Sequence, residues 1–436
     1  MKNYDVLIIG GGLAGYYCAL YCKRRDLNVA IVEKSILGGT GIRTGALPVK
    51  KLLDSFKNND IDNKIIKESL IRNWDENLQY LDDKLKDNLK NNGIDIYFGD
   101  GEFLDEHRYI VEESILYGEN IVIATGTEPS SVEEIKIDNE NIITHKDAID
   151  IRNLPESIII LGGNVEGVEF ASIYERLGVK VSLVEKEESL LFENDEELVK
   201  PIEDNLKKRK VEIIKGNGAQ KTYIKGSKVK VVLEDGQVLE GDKVLVTLSR
   251  KPSYPKGIDK LNIDKDDFKI KVYENLRTNV KHIYAIGDIN GILGLASGAI
   301  QQGIAVSDNI LYNKPVTMNY NSLPRAVYTL PEMAGAGYQE KDLVQEGIDY
   351  IKGYSYFSNT WRGWAKNIEE GFLKVLIDKE GIILGIWMVG ENVSEYIGLL
   401  GVLLEKNISV EDVKSNLVIH PSLWEALLDA ILNAER

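Results

Sequence analysis

The sequence predicts an α/β chain: two Rossmann-like units followed by a C-terminal α+β domain. Three observations carry this. The apolar run DVLIIG at 5–10 enters the glycine motif Gly10-x-Gly12-x-x-Gly15. The same pattern returns from Ser157 as SIIILGGNVEGVEF. Beyond about residue 325 the apolar segments mix strands with helices in a different order. The length of 436 residues suits about three domains at roughly 150 residues each.

The first run reads as a buried parallel strand. A helical stretch from Tyr16 to about Arg25 follows, and a second strand, NVAIVEK, ends at Glu33. In such a βαβ unit the glycines permit a tight turn, close approach of a pyrophosphate, and helix packing. The helix N-terminus offers N–H groups to phosphates, and Glu33 is placed to accept hydrogen bonds from ribose hydroxyls. In the second copy Glu185 stands at the same separation from Gly162 as Glu33 from Gly10. One glycine motif is a weak signal, whereas two in strand–turn–helix–strand context are strong. The second copy departs at Asn164, where the middle glycine belongs, and Glu166 adds negative charge at the helix start. Asn tolerates positive φ better than most residues, but its side chain crowds a pyrophosphate. Glu185 favours NAD(H), because a carboxylate repels a 2′-phosphate.

Between the copies the sequence predicts helix from Val49 to Asn91, then strands in GIDIYFGDGEF and NIVIATGTEPS. After the second copy, KVLVTLSRKPS and HIYAIGDING read as strands with exit turns, the latter ending at Asp288. Residues 312–325 mark a boundary. The remainder alternates FLKVLID and ILGIWMVG with helices in YIGLLGVLLEKN and PSLWEALLDAILNAER, Pro421 suiting the first turn of the last.

The formal charge of −16 repels phosphate backbones and anionic lipid, which argues against nucleic-acid binding. No run approaches the length of a membrane span, and the first ten residues lack a signal-peptide pattern. The expected compartment is the cytoplasm. The two cysteines, Cys18 and Cys22, lie one helical turn apart. They read as buried small side chains, since a disulfide within one straight helix is disfavoured.

With these motifs in order, the chain resembles the class I pyridine nucleotide-disulfide oxidoreductases, particularly dihydrolipoamide dehydrogenases. The resemblance runs nearly end to end, through GGTGIRTGALPVK, IATGTEP, GGNVEGVEF, IYAIGD and HPSLWE. It implies two dinucleotide-binding domains, for FAD and NAD, plus a dimerisation domain. The boundaries expected are 1–146 with 270–318 for FAD, 147–269 for NAD, and 319–436 for the interface. FAD contacts are implied from Gly10, Gly12, Gly15, Glu33 and Lys34, then from Gly39, Thr40, Lys50 and Gly101. Thr125, Gly126, Asp288, Leu295 and Ala296 complete that set. NAD(H) contacts are implied from Gly162, Asn164, Gly167 and Glu185. Lys50 matches a lysine near flavin N5, and Glu169 its partner. A cation there stabilises the anion formed on flavin reduction. His420 and Glu425 match a His–Glu acid/base pair that reaches the active site of the other subunit of a homodimer, the carboxylate fixing the imidazole tautomer.

One departure stands out. Gly41 and Ala46 occupy the positions of the family's two redox cysteines. Without a thiolate, disulfide exchange by the family route is closed. A flavin still accepts a hydride without them, and the small side chains are expected to open space on its face. The first reading is therefore an NADH-linked FAD oxidoreductase that delivers electrons to a small-molecule, non-disulfide acceptor such as a quinone or dye. A nicotinamide transhydrogenase is the second, opposed by Glu185. A catalytically degenerate FAD-binding paralogue, a structural or regulatory partner of a lipoyl-dependent complex, is the third. Asn164, Glu166 and Ser249, where the family carries glycine, favour that third reading. Trp361 and Trp364 are assigned to packing at an interdomain or subunit surface rather than to stacking on an acceptor.

Overall fold

In a computed structural model residues 1–57, 62–312, 318–416 and 419–434 are described, and element counts refer to these. The first glycine unit forms as the strand Lys2–Ile9, the helix Leu13–Lys23 and the strand Val29–Glu33. The helix starts three residues earlier than the apolar pattern suggests. Gly12, in extended backbone, caps its start, and its carbonyl accepts the Tyr16 N–H at 2.8 Å. These strands lie parallel at the centre of a seven-stranded sheet, beside Asp95–Phe98 and Ser114–Ile123. The strand Ile283–Ala285 returns late in the sequence to pair parallel with Ser114–Ile123. Val6, Ile8 and Ile31 are fully buried on one face of the sheet and Leu7 on the other. Each fully buried aliphatic side chain contributes about 1.5–3 kcal/mol.

The second unit is a five-stranded parallel sheet built on Ser157–Leu161, the helix Val165–Arg176 and the strand Lys180–Val184. The short strand Ile142–Ile143, which a boundary at 146 assigns to the first unit, hydrogen-bonds into this second sheet beside Lys243–Val246. A two-stranded ribbon, Thr127–Ser130 with Ser249–Pro252, connects the two units.

The C-terminal part is a five-stranded antiparallel sheet covered by the helices Ser394–Glu405 and Glu425–Leu432. A buried ionic knot fastens it to the second unit. Lys374, with a fully buried side chain, donates to Asp195 at 2.6 Å, to Glu197, and to Glu340 at 3.2 Å. Burial works to raise the Glu340 carboxyl, but the Tyr350 hydroxyl and the Lys374 and Lys352 ammoniums override it and hold it down to about 2.

Three expectations shift. The helical region 49–91 is two helices, Ala46–Ser55 and Asn63–Asn91. Asp288 does not end its strand but follows it, in a 3₁₀ turn over Gly287–Asn290. The last helix starts at Glu425, not at Pro421. The Glu425 carboxylate accepts the Ser422 N–H at 2.8 Å and the His420 ring N–H at 2.7 Å, which holds the preceding residues as a loop. Part of the boundary segment, residues 313–317, lies outside the described residues.

Candidate functional site

Both glycine turns obey the same geometry. Gly10 and Gly162 have φ of +110° and +107°, where a side chain is strained. A Cβ on Gly15 would lie 2.0 Å from the Gly10 carbonyl oxygen, and one on Gly167 1.8 Å from that of Gly162. Glycine is therefore required by helix–strand contact. The Glu33 carboxylate accepts the Gly11 N–H at 2.7 Å and the Ser35 N–H at 2.9 Å. Glu185 repeats this with Gly163 at 2.5 Å and Glu187 at 2.8 Å. Each carboxylate is held at the carboxyl end of an interior strand, with lone pairs left to accept further hydrogen bonds.

The two helix starts differ. A Cβ on Gly12 would meet nothing within 4 Å, so the space over the first helix is open. At the second, Asn164 has φ −75°, so its tolerance of positive φ is not used. Its side chain accepts the Gly167 N–H at 3.1 Å and donates to the Thr247 carbonyl. The amide folds back as a helix cap and occupies an N–H that a pyrophosphate would otherwise take.

Around the first unit, Gly38 pairs with Gly12 and brings Gly39 and Thr40 over the helix start. Thr127 donates to Asp288 at 3.2 Å, tying the connecting ribbon to the late-sequence turn at that cradle. Leu295 and Ala296 stand at the start of the helix Ala296–Tyr312. Thr125 Oγ1 is buried without a hydrogen-bond partner, and a Cβ on Gly126 would meet only open space. An unsatisfied buried hydroxyl beside an open groove fits a polar, extended ligand such as FAD. Two of the implied contacts sit differently. Lys34 lies at the rim, its side chain 75 % exposed and 3.9 Å from Asp100. Gly101 is glycine because Tyr109 fills its side: a Cβ would lie 2.2 Å from that ring.

Lys50 and Glu169 meet at 2.7 Å, although they come from different units. The Glu169 side chain is 4 % exposed. Its other oxygen accepts the Tyr328 N–H at 3.0 Å, and the Tyr328 ring lies under the Lys50 ammonium. His420 and Glu425 also pair, but on a surface: the His420 side chain is 63 % exposed. The hydrogen bond from His420 holds the Glu425 carboxyl below its ordinary value. The Trp361 ring stands edge-on to His420 at 6.4 Å between centroids.

Residue 41 needs a correction. A Cβ on Gly41 would lie 2.2 Å from Leu13 Cδ1, so Leu13 already fills the space that a glycine was expected to open. Cys18 and Cys22 are fully buried, free, and 3.9 Å apart in the first helix. Their mutual hydrogen bond and burial push the Cys18 thiol well up, away from the thiolate that a redox relay needs.

Sequence reasoning missed His145 and Arg250. Arg250 donates to Thr127 at 2.7 Å and reaches Thr40 at 3.5 Å and Glu166 at 4.0 Å. His145 lies behind Glu166. The rarity of histidine, four in the chain, was the available signal. Glu166 and Arg250 line a cavity of about 400 Å³ between the two units, with Asn164, Leu295, Arg325 and Trp387.

Comparisons with known proteins agree with this architecture. Residues 4–303 match the pyridine nucleotide-disulphide oxidoreductase family and residues 323–431 its dimerisation domain, which supports a homodimer. Dihydrolipoyl dehydrogenase 3 of Pseudomonas putida is 32 % identical over 100 % of this chain and 99 % of its own length. Dihydrolipoamide dehydrogenase of Chaetomium thermophilum is 32 % identical over 98 % of this chain and 90 % of its own. Among solved structures, the Cu(II) complex of the HOCl-induced flavoprotein disulfide reductase RclA from Escherichia coli superposes with a TM-score of 0.89 at 25 % identity, covering 99 % of each chain. LpdA from Mycobacterium tuberculosis gives 0.90 at 24 % identity over 99 % of each chain, a likeness of fold. Among the described residues no helix is long and apolar enough to cross a membrane. The chain belongs to the pyridine nucleotide-disulphide oxidoreductase family, as an enzyme of the lipoamide dehydrogenase type whose cofactors are FAD and NAD(H).

Proposed function

We propose that this enzyme takes reducing equivalents from NADH and delivers them to a small non-disulfide acceptor, a quinone or dye-like ring. The carrying observation is the absence of any usable thiol. Positions 41 and 46 are Gly and Ala, and the chain's two cysteines are fully buried in the first helix. When bound, the flavin supplies hydride acceptance and onward electron transfer, which need no sulfur.

The residues take the following roles in this reading. The 1–146 and 270–318 segments hold FAD, apart from the strand Ile142–Ile143 that joins the second sheet, the 147–269 segment holds NAD(H), and 319–436 forms the subunit interface. Gly10–Gly15, Glu33, Thr40, Thr125 and Asp288 bind the FAD backbone, and Gly162–Gly167 with Glu185 bind NAD(H). Lys50, fixed by Glu169, places a cation beside the isoalloxazine. His420, oriented by Glu425, holds a proton at the subunit interface, where the acceptor leaves reduced. Buried, reduced thiols fit a cytoplasmic location.

The test is an anaerobic NADH titration of the purified protein, followed by quinone, dye and lipoamide as acceptors. The flavin bands should bleach with NADH, a quinone or dye should restore them, and lipoamide should be inert. Bands that NADH leaves unchanged overturn the reading. That result would favour an FAD-binding structural partner, for instance of a lipoyl-dependent complex. The observation on that side is Asn164, which spends a phosphate-binding N–H on its own cap.

A further inference from the structure

The His145 side chain is 2 % exposed, yet both its ring nitrogens lack a hydrogen-bond partner. Its Nδ1 lies 3.4 Å from Glu166 Oε1, at ion-pair distance but off hydrogen-bond geometry. The opposite edge of the ring faces the vacated cysteine segment. A Cβ on Gly45, next to Ala46, would sit 3.5 Å from Cδ2, the ring carbon bonded to Nε2. Glu166 lines the cavity between the dinucleotide units, and its other oxygen faces Arg250. Arg250 in turn reaches Thr40 and Thr127, and Thr127 binds Asp288. A chain of polar groups therefore runs from His145 to the FAD cradle.

We propose that His145 and Glu166 form a buried proton-holding pair, which binds one proton when the enzyme takes up two electrons and releases it when they leave. The inference rests on the flavin chemistry proposed above, but not on the identity of the acceptor. The balance is simple. Two electrons and one proton enter the flavin as a hydride from NADH, leaving it one negative charge richer. That charge favours a second proton on a neighbouring imidazole. Reduction of a quinone to a hydroquinone consumes two electrons and two protons, so the stored proton leaves with the acceptor.

The surrounding charges permit this. On the same short helix Asp147 is engaged with the Thr144 N–H and Lys146 with Glu128. From the second fingerprint helix only Glu166 faces the ring, and from the connecting ribbon Arg250 faces Glu166. The packed segment from Thr40 to Gly45 carries one charge, Arg43, which is paired with Asp82 at 2.8 Å. Glu166 is thus shared between one permanent cation, Arg250, and the His145 ring.

The experiment measures the reduction potential of the bound flavin against pH, in wild type, His145→Asn and Glu166→Gln. The slope counts protons taken up per two electrons. Between about pH 6 and 8 the wild type should approach two, and each variant about one. Proton release into a weakly buffered indicator dye on reoxidation by ferricyanide, which takes electrons without protons, should fall by the same proportion. Glu166→Gln keeps the test open if the buried His145 variant folds poorly. Equal proton counts in all three proteins overturn the pair. A changed count together with inert quinones and dyes leaves the pair standing and defeats the acceptor reading instead.

Discussion

Restoring one cysteine should destabilise this protein, and the structure says by how much. In Gly41→Cys the new Cβ enters a space whose nearest atoms are Leu13 Cδ1 at 2.2 Å and Cγ at 2.8 Å. Leu13 must leave its rotamer or the segment must shift. Overpacking of this kind costs about 1–3 kcal/mol, and a strained rotamer alone about 0.5–1.5 kcal/mol. Leu13→Ala removes a half-buried side chain at a cost of about 1–2 kcal/mol. The double variant should cost less than the two single costs combined, by about 1–2 kcal/mol, because the clash disappears with the leucine. The assay is a double-mutant cycle by urea unfolding at one saturating FAD concentration, since ligand binding shifts apparent stability. Additive costs, or a Gly41→Cys variant as stable as wild type, would refute the claim that Leu13 occupies the vacated position. Adding Ala46→Cys to the Gly41→Cys/Leu13→Ala double variant should then give more lipoamide activity than Gly41→Cys/Ala46→Cys does with Leu13 in place.

Lys374→Met leaves Asp195, Glu197 and Glu340 without their shared cation and should cost about 3–5 kcal/mol, read by chemical denaturation. In the wild type the Glu340 carboxyl is held down to about 2 from 4.5, so its contribution is complete above pH 4.5 and is lost as the pH falls towards 2. The variant should instead gain stability over that window as its carboxylates are protonated, and a parallel pH profile for both proteins would refute the knot. Asn164→Gly frees the Gly167 N–H and should tighten NADH about 3–10-fold by fluorescence titration, while costing only a few tenths of a kcal/mol as a cap. Glu425→Gln should slow acceptor reduction and leave NADH-driven bleaching within about two-fold, since the carboxylate's partners are His420 and the Ser422 N–H, and stopped-flow mixing separates the two steps. His145→Leu should stabilise the FAD-free protein by about 1–3 kcal/mol in urea, because it removes two unsatisfied buried nitrogens.

Much of this was legible in the sequence because it is carried by local pattern. The two glycine turns, the strand runs and the acidic residues at matching separations all depend on neighbours within one βαβ unit. The Lys50–Glu169 and His420–Glu425 pairs were reached by resemblance, and the geometry brings each together. What stayed hidden depends on contact between distant segments. Leu13 filling Gly41 joins residues that no periodicity links. The helix start at Glu425 rather than Pro421 follows from a carboxylate folding back on the loop before it. Asn164 is expected to crowd a phosphate by bulk, whereas its side chain takes up a helix N–H. His145 sits on a helix of four residues, too short to announce a face.

The departures from the family cluster in one place, and their energetics differ from those of the retained residues. Retention of Lys50 with Glu169 says little about catalysis. Removing either partner would strand a buried charge at a cost of several kcal/mol, so stability alone preserves the pair. His145 and Glu166 are the opposite case. An imidazole at 2 % exposure with two unpaired nitrogens costs stability at each one, and a carboxylate beside it adds a charge that the dinucleotide phosphates would repel. An apolar residue at 145 would relieve the first cost and a neutral one at 166 the second. A site drifting without use would be free to lose both, since relief of these costs is open to single substitutions. A costly polar pair set against the position where a redox sulfur is missing is therefore the mark of a site that still moves charge.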